Sequence, residues 1–80
     1  MDRELRTARG ILASLARALD RGQPILGSTW YRLGEAAHHC ERGGRADVAE
    51  MLEKIVEERS AFQNPAILLE NISAIIRLLG

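Results

Sequence analysis

Asn64-Pro65-Ala66-Ile67-Leu68-Leu69-Glu70-Asn71-Ile72-Ser73-Ala74-Ile75-Ile76-Arg77-Leu78-Leu79 carries both a helix start signal and a strong helical period. The Asn64 side-chain oxygen suits an N-cap, where it accepts from a free backbone N–H of the first turn. Pro65 follows at the first helical position, where a missing N–H costs nothing. Gly80 supplies a stop. Eight of the fifteen residues from Pro65 to Leu79 are Ile or Leu. Leu68, Leu69, Ile72, Ile75, Ile76 and Leu79 make one broad stripe at helical spacing, and Ile67 and Leu78 fall outside it. A helix this apolar is the centre of a bundle or has two buried faces. Ile67, Asn71, Ala74 and Leu78, at steps of four, three and four, form a second, narrower seam. Ala74 allows close helix approach, and one Asn in an apolar seam can fix register by pairing with its equivalent. This seam is the expected partner-binding surface, for a second copy about a two-fold axis or for a partner's amphipathic helix.

Upstream, three more helices are expected. Residues 2–21 place Leu5, Ala8, Leu12, Leu15 and Leu19 at alternating steps of three and four, with Ile11 beside them. Arg3, Arg6, Arg17 and Arg21 gather on the opposite face. Gly22-Gln23-Pro24 ends this helix, and Ile25 and Leu26 form a small apolar plug under the loop. A second helix, about 29–42 and capped by Ser28 or Thr29, carries Trp30, Leu33, Ala37 and Cys40 as its core stripe. Gly34 beside that stripe would admit a close neighbour, and Gly43-Gly44 stops the helix. The third, about 46–61, turns Val48, Met51, Leu52, Ile55 and Phe62 inward. Glu50, Glu53 and Glu57 line its outer face, with Glu50 and Lys54 spaced as an i,i+4 ion pair. The expected fold is all-α: one domain over residues 1–80, a small antiparallel four-helix bundle with short loops. Leu15, Leu33, Leu52, Ile55, Ile72 and Cys40 are its expected buried core.

Thr29-Trp30-Tyr31-Arg32-Leu33-Gly34-Glu35-Ala36, followed by Asp47-Val48-Ala49-Glu50, resembles one tetratricopeptide repeat over about thirty residues. Trp30, Leu33, Gly34 and Ala49 carry the resemblance. It implies a peptide-binding helical hairpin. The loop is about two residues longer than in that family, the usual second-helix aromatic is missing, and no second copy follows.

Composition narrows the function classes. The 80 residues are 46% hydrophobic, which excludes a disordered chain, and contain only three aromatics, so Leu, Ile and Ala must build the core. A domain this small is marginally stable alone, which favours oligomerisation or a bound partner. Net charge is zero, giving no general drive toward nucleic acid or anionic membrane. The charge is nonetheless divided. Residues 1–45 carry eight Arg against five acids, and residues 46–80 carry three bases against six acids. The expectation is that the two sets meet, the Arg face of the first helix against Glu50, Glu53 and Glu57, within the bundle or across a dimer. One cysteine, Cys40, allows no intrachain disulfide and fits a reducing, cytoplasmic setting. No apolar run is long enough to span a membrane. Asp2, Glu4, Arg9 and Arg17 interrupt any secretory leader. The abundance of Arg, Ala, Gly and Leu suggests a bacterial, GC-rich source.

His38-His39-Cys40-Glu41 is the one stretch that resembles a chemical site. Glu35 and His38 have the E-x-x-H spacing of di-iron bundles, but those need a second such motif and two further carboxylates. Adjacent helical residues diverge by about 100°, so His38, His39 and Cys40 cannot converge on one ion or act as nucleophile and base. Cys40 falls on the apolar stripe and His39 toward solvent. A solvent-facing His on a helical bundle is also the arrangement of histidine phosphotransfer domains, but the Lys-Gly pattern of that family is missing. No catalytic residue, cofactor or metal is expected, except a metal shared by two Glu35/His38 pairs across a symmetric dimer.

The expected function is therefore a cytoplasmic protein–protein interaction module, of adaptor, anti-activator or secretion-chaperone-like kind, with a protein partner or as a homodimer. A nucleic-acid-binding regulator using Arg3, Arg6, Arg17 and Arg21 is the alternative from another class. A death-fold-like signalling module is a further one, though that fold has six helices.

Overall fold

The computed structural model describes residues 2–80. Among them the chain is helical and has no strand. The elements are α1 (Arg3–Asp20), α2 (Gly27–Arg42), α3 (Ala46–Glu57), a 3₁₀ turn (Arg59–Phe62) and α4 (Pro65–Leu79). Asp2 caps α1, its side chain accepting the Glu4 N–H at 2.7 Å. Asn64 caps α4 as its sequence implies, accepting from the N–H groups of Ala66 at 2.9 Å and Ile67 at 3.3 Å.

The ends of α1 and α2 share one device. Gly22 (φ 84°) and Gly44 (φ 83°) adopt the left-handed conformation that lets a helix close on itself. The next residue then donates back into the helix, Gln23 to Ala18 O at 3.0 Å and Arg45 to Cys40 O at 2.8 Å. At the start of α2 the helix begins at Gly27, two residues before the expected position. Thr29 is not the cap itself. It sits one turn in, where its hydroxyl accepts the Leu26 N–H at 3.1 Å.

α1 packs against both α2 and α4, and α2 packs against α3, whereas α3 and α4 touch only lightly, with the 3₁₀ turn against both. Leu12, Leu33, Cys40, Val48, Leu52, Leu68 and Ile72 are fully buried, and Leu15, Ile55, Ile75 and Leu79 nearly so. The six expected core residues are all among these. On α4 the stripe is narrower than its composition suggests. Leu68, Ile72, Ile75 and Leu79 are buried, while Leu69 and Ile76 are partly exposed.

Several expectations give way here. Met51 does not point inward; it stays 46% exposed on the face of α3 that borders the gap to α4. α3 stops at Glu57 instead of reaching residue 61. The chain tightens into the 3₁₀ turn, which carries Phe62 against the core from the end of the helix. Trp30 is only partly buried, at the margin of the core. Ile25 packs on the core, but Leu26 is exposed. Gly34 admits no close neighbour, since a Cβ there would meet nothing within 4 Å. Gly43 is the glycine under pressure. A Cβ on it would lie 2.7 Å from Leu5 Cδ2 and 2.8 Å from Leu5 Cγ.

Candidate functional site

Residues of α3, the 3₁₀ turn and α4 line an apolar groove of about 390 Å³ where the two helices fail to close. α3 contributes Met51, Lys54 and Ile55, then Glu58 just past its end, at the i, i+3, i+4, i+7 spacing of one helix face. α4 contributes Asn71, Ala74, Ile75 and Leu78, and Phe62 of the turn also lines the groove. Ile55 and Ile75 are buried, whereas Met51 and Leu78 are 46% and 48% exposed. Large apolar side chains stay in water here because none of the described residues lies across them.

Three of the four seam residues, Asn71, Ala74 and Leu78, line this groove. Ile67 is exposed but lies outside the lining. The Asn71 amide donates to Ile67 O of its own helix at 2.8 Å, so one of its two N–H donors is engaged locally. Ala74 presents only a methyl group, which keeps the α4 wall low. Sequence reasoning missed Met51, Lys54, Ile55, Glu58, Phe62 and Ile75 as members of the site. A signal for them exists: Val48, Met51, Leu52, Ile55 and Val56 make a stripe wider than one neighbouring helix covers.

The acidic face adjoins the groove. Glu50, Glu53, Lys54, Glu57 and Glu58 border a second, polar depression, and Lys54 and Glu58 line both. Glu50, Glu53 and Glu57 are exposed, and among the described residues no ion pair engages them. The expected Glu50–Lys54 pair does not form; Lys54 lies along the groove instead. Arg3, Arg6, Arg17 and Arg21 are exposed on α1. Within the chain they do not meet the Glu set, because α2 and α4 are the helices that pack on α1. The intramolecular form of the charge pairing is thus corrected.

Ion pairs form elsewhere. His39 does not project freely into solvent; its side chain is 25% exposed, with Nδ1 2.6 Å from Glu4 Oε2. That hydrogen bond, aided by Arg42 at 3.8 Å, holds the Glu4 carboxyl below the usual carboxylate range. Arg45 makes a two-pronged pair with Asp47, both contacts at 3.1 Å, and donates through Nη1 to Leu78 O at 3.2 Å. The Asp47 carboxyl is lowered by that pairing.

Glu35 and His38 are both exposed, in a shallow depression with Trp30, Tyr31 and Gly34. Among the described residues no group of three or more His, Cys, Asp or Glu side chains could hold a metal ion. Cys40 is buried and unpaired, and burial pushes its thiol pKa up, opposite to what a nucleophile needs. No described helix is long and apolar enough to cross a membrane. α2 and α3 do form a packed helical hairpin across a three-residue connection. Comparison with protein-family models, with curated proteins and with solved structures finds no match to the chain, and the tetratricopeptide resemblance stays at the level of that hairpin.

Proposed function

We propose that this chain is a protein-binding module, a small antiparallel helical bundle whose α3/α4 groove receives the apolar face of a helix. The observation that carries the reading is the open contact between α3 and α4. Met51 and Leu78 stand half exposed over buried Ile55 and Ile75, beside the low wall at Ala74. Apolar grooves between helices recognise amphipathic helices through anchors at i, i+3, i+4 and i+7. Adaptor or anti-activator roles fit such a module, because occupying a partner's helix is itself the regulatory act.

Titration of isotope-labelled protein with a designed amphipathic helical peptide tests this. Chemical-shift changes should concentrate at Met51, Ile55, Phe62, Ala74 and Leu78. They should vanish in the Met51→Glu, Leu78→Glu double variant, which stays folded because both side chains are half exposed. Shift changes confined to α1 or α2 would refute the reading.

A second reading rests on Arg3, Arg6, Arg17 and Arg21, exposed on one helix with no carboxylate paired to them among the described residues. Such a face can contact phosphates. A gel shift that weakens steeply with salt and is lost in the four-fold Arg→Gln variant would favour nucleic acid over a protein partner.

A further inference from the structure

We infer that the groove selects a basic amphipathic helix, one with a row of Lys or Arg beside its apolar anchors. The inference rests on the groove being a helix-binding site and adds the charge of the occupant. Its carrier is the continuity of two surfaces. Lys54 and Glu58 line the apolar groove and also border the depression that holds Glu50, Glu53 and Glu57. Along α3, Met51, Lys54, Ile55 and Glu58 face the groove, and Glu50, Glu53 and Glu57 form the next row outward. A helix lying in the groove therefore sets its apolar face on Met51, Ile55, Phe62 and Leu78 and one flank against three carboxylates. Among the described residues no ion pair engages those carboxylates. Among the described residues Lys54 is the single base bordering that depression.

A second copy of this chain is a poor occupant. Two grooves meeting about a two-fold axis that runs across them would bring two acidic rims to one seam, where like charges repel. The chain's own basic amphipathic helix is α1, but Ala8, Leu12, Leu15 and Leu19 are buried in the core, so only its Arg face is on offer. The occupant is thus a helix of another protein. The complementary charges raise its association rate and exclude acidic amphipathic helices that would fit the groove by shape.

The test uses fluorescein-labelled peptides of about 18 residues, long enough to hold a helix. All share one apolar face and differ in the flank, which is Lys-rich, Gln-rich or Glu-rich. Anisotropy titrations should show the Lys-rich peptide binding roughly 10-fold tighter than the Glu-rich one at low salt, the gap closing near 0.5 M salt. The Glu50→Lys, Glu53→Lys, Glu57→Lys variant, checked for native helicity, should invert the order. Equal binding of all three peptides, or preference for the Glu-rich one, overturns the charge selection and leaves the groove reading standing. Binding by none of them overturns both. A mass of two protomers that falls to one in Ala74→Trp assigns the groove to a second copy and overturns the inference.

Discussion

Gly43 and Gly34 sit nine residues apart, and the structure separates them sharply. Gly43 closes α2 directly over Leu5, so Gly43→Ala must displace a core-side leucine and should cost ~1–3 kcal/mol. Gly34 lies on an exposed helical face with open space around its α-carbon, and Gly34→Ala should stabilise by ~0.5–1 kcal/mol. Urea unfolding of the two variants checks both signs. The sequence marks Gly34 as interior to the helix and Gly43 as its stop, but not which of the two is crowded, because that depends on α1, which reaches Gly43 from the other end of the chain. The same holds for His39. Its direction on α2 is solvent-ward by local periodicity, yet Glu4 of α1 meets it there. Glu4 has a lowered pKa in the folded state, so the unfolded chain takes up that proton more readily. Its stabilising contribution is fully present above the usual carboxylate range and is lost as pH falls below that range toward the folded value. Asp47 has the same sign. Thermal melts between pH 7 and pH 3 should show a decline that is shallower in Glu4→Gln than in the parent protein.

At the scale of elements, α4 was the most legible, and for local reasons. Asn64-Pro65 fixes its start through a side-chain oxygen and a missing N–H, neither of which depends on the rest of the fold. Asn64→Ala should therefore cost ~1 kcal/mol, read by chemical denaturation. Within α4, Ile72→Ala should cost ~2–5 kcal/mol because Ile72 is fully enclosed. Leu78→Ala should cost far less, since half of that side chain already faces water. α3 was less legible. Its apolar period runs past Ile55 to Phe62 at a helical interval, but the chain tightens after Glu57 so that Phe62 meets the core from the turn. Periodicity records which residues are apolar on one face, not whether the backbone keeps its pitch to reach them. The candidate groove follows the same division. Its α4 half could be read from spacing in Asn71, Ala74 and Leu78. Its α3 half shows in the sequence only as an apolar stripe too wide for one neighbour; that this stripe borders a groove depends on how far two helices stand apart.

Across the whole molecule, three well-packed helix pairs and one loose one describe the domain. Cys40 lies in the well-packed part. Its labelling by a thiol reagent should be slow in the native protein and become rapid only where urea unfolds the chain, since a buried, protonated thiol is doubly unreactive. Rapid native labelling would show that the α2/α3 packing opens far more readily than its burial implies. Arg45 bears on the loose part. It leaves the α2–α3 turn, grips Asp47 and reaches the Leu78 carbonyl, so it moors the free end of α4 to the body of the domain. α4 is in this respect a boom lashed at its tip. With Arg45→Ala the lashing is cut while the core is untouched. The midpoint of thermal unfolding should barely move, but the amide hydrogens of the last turn of α4 should exchange with solvent markedly faster. The width of the groove would then be governed by a tether that grips one of its lining residues, Leu78, by the backbone carbonyl.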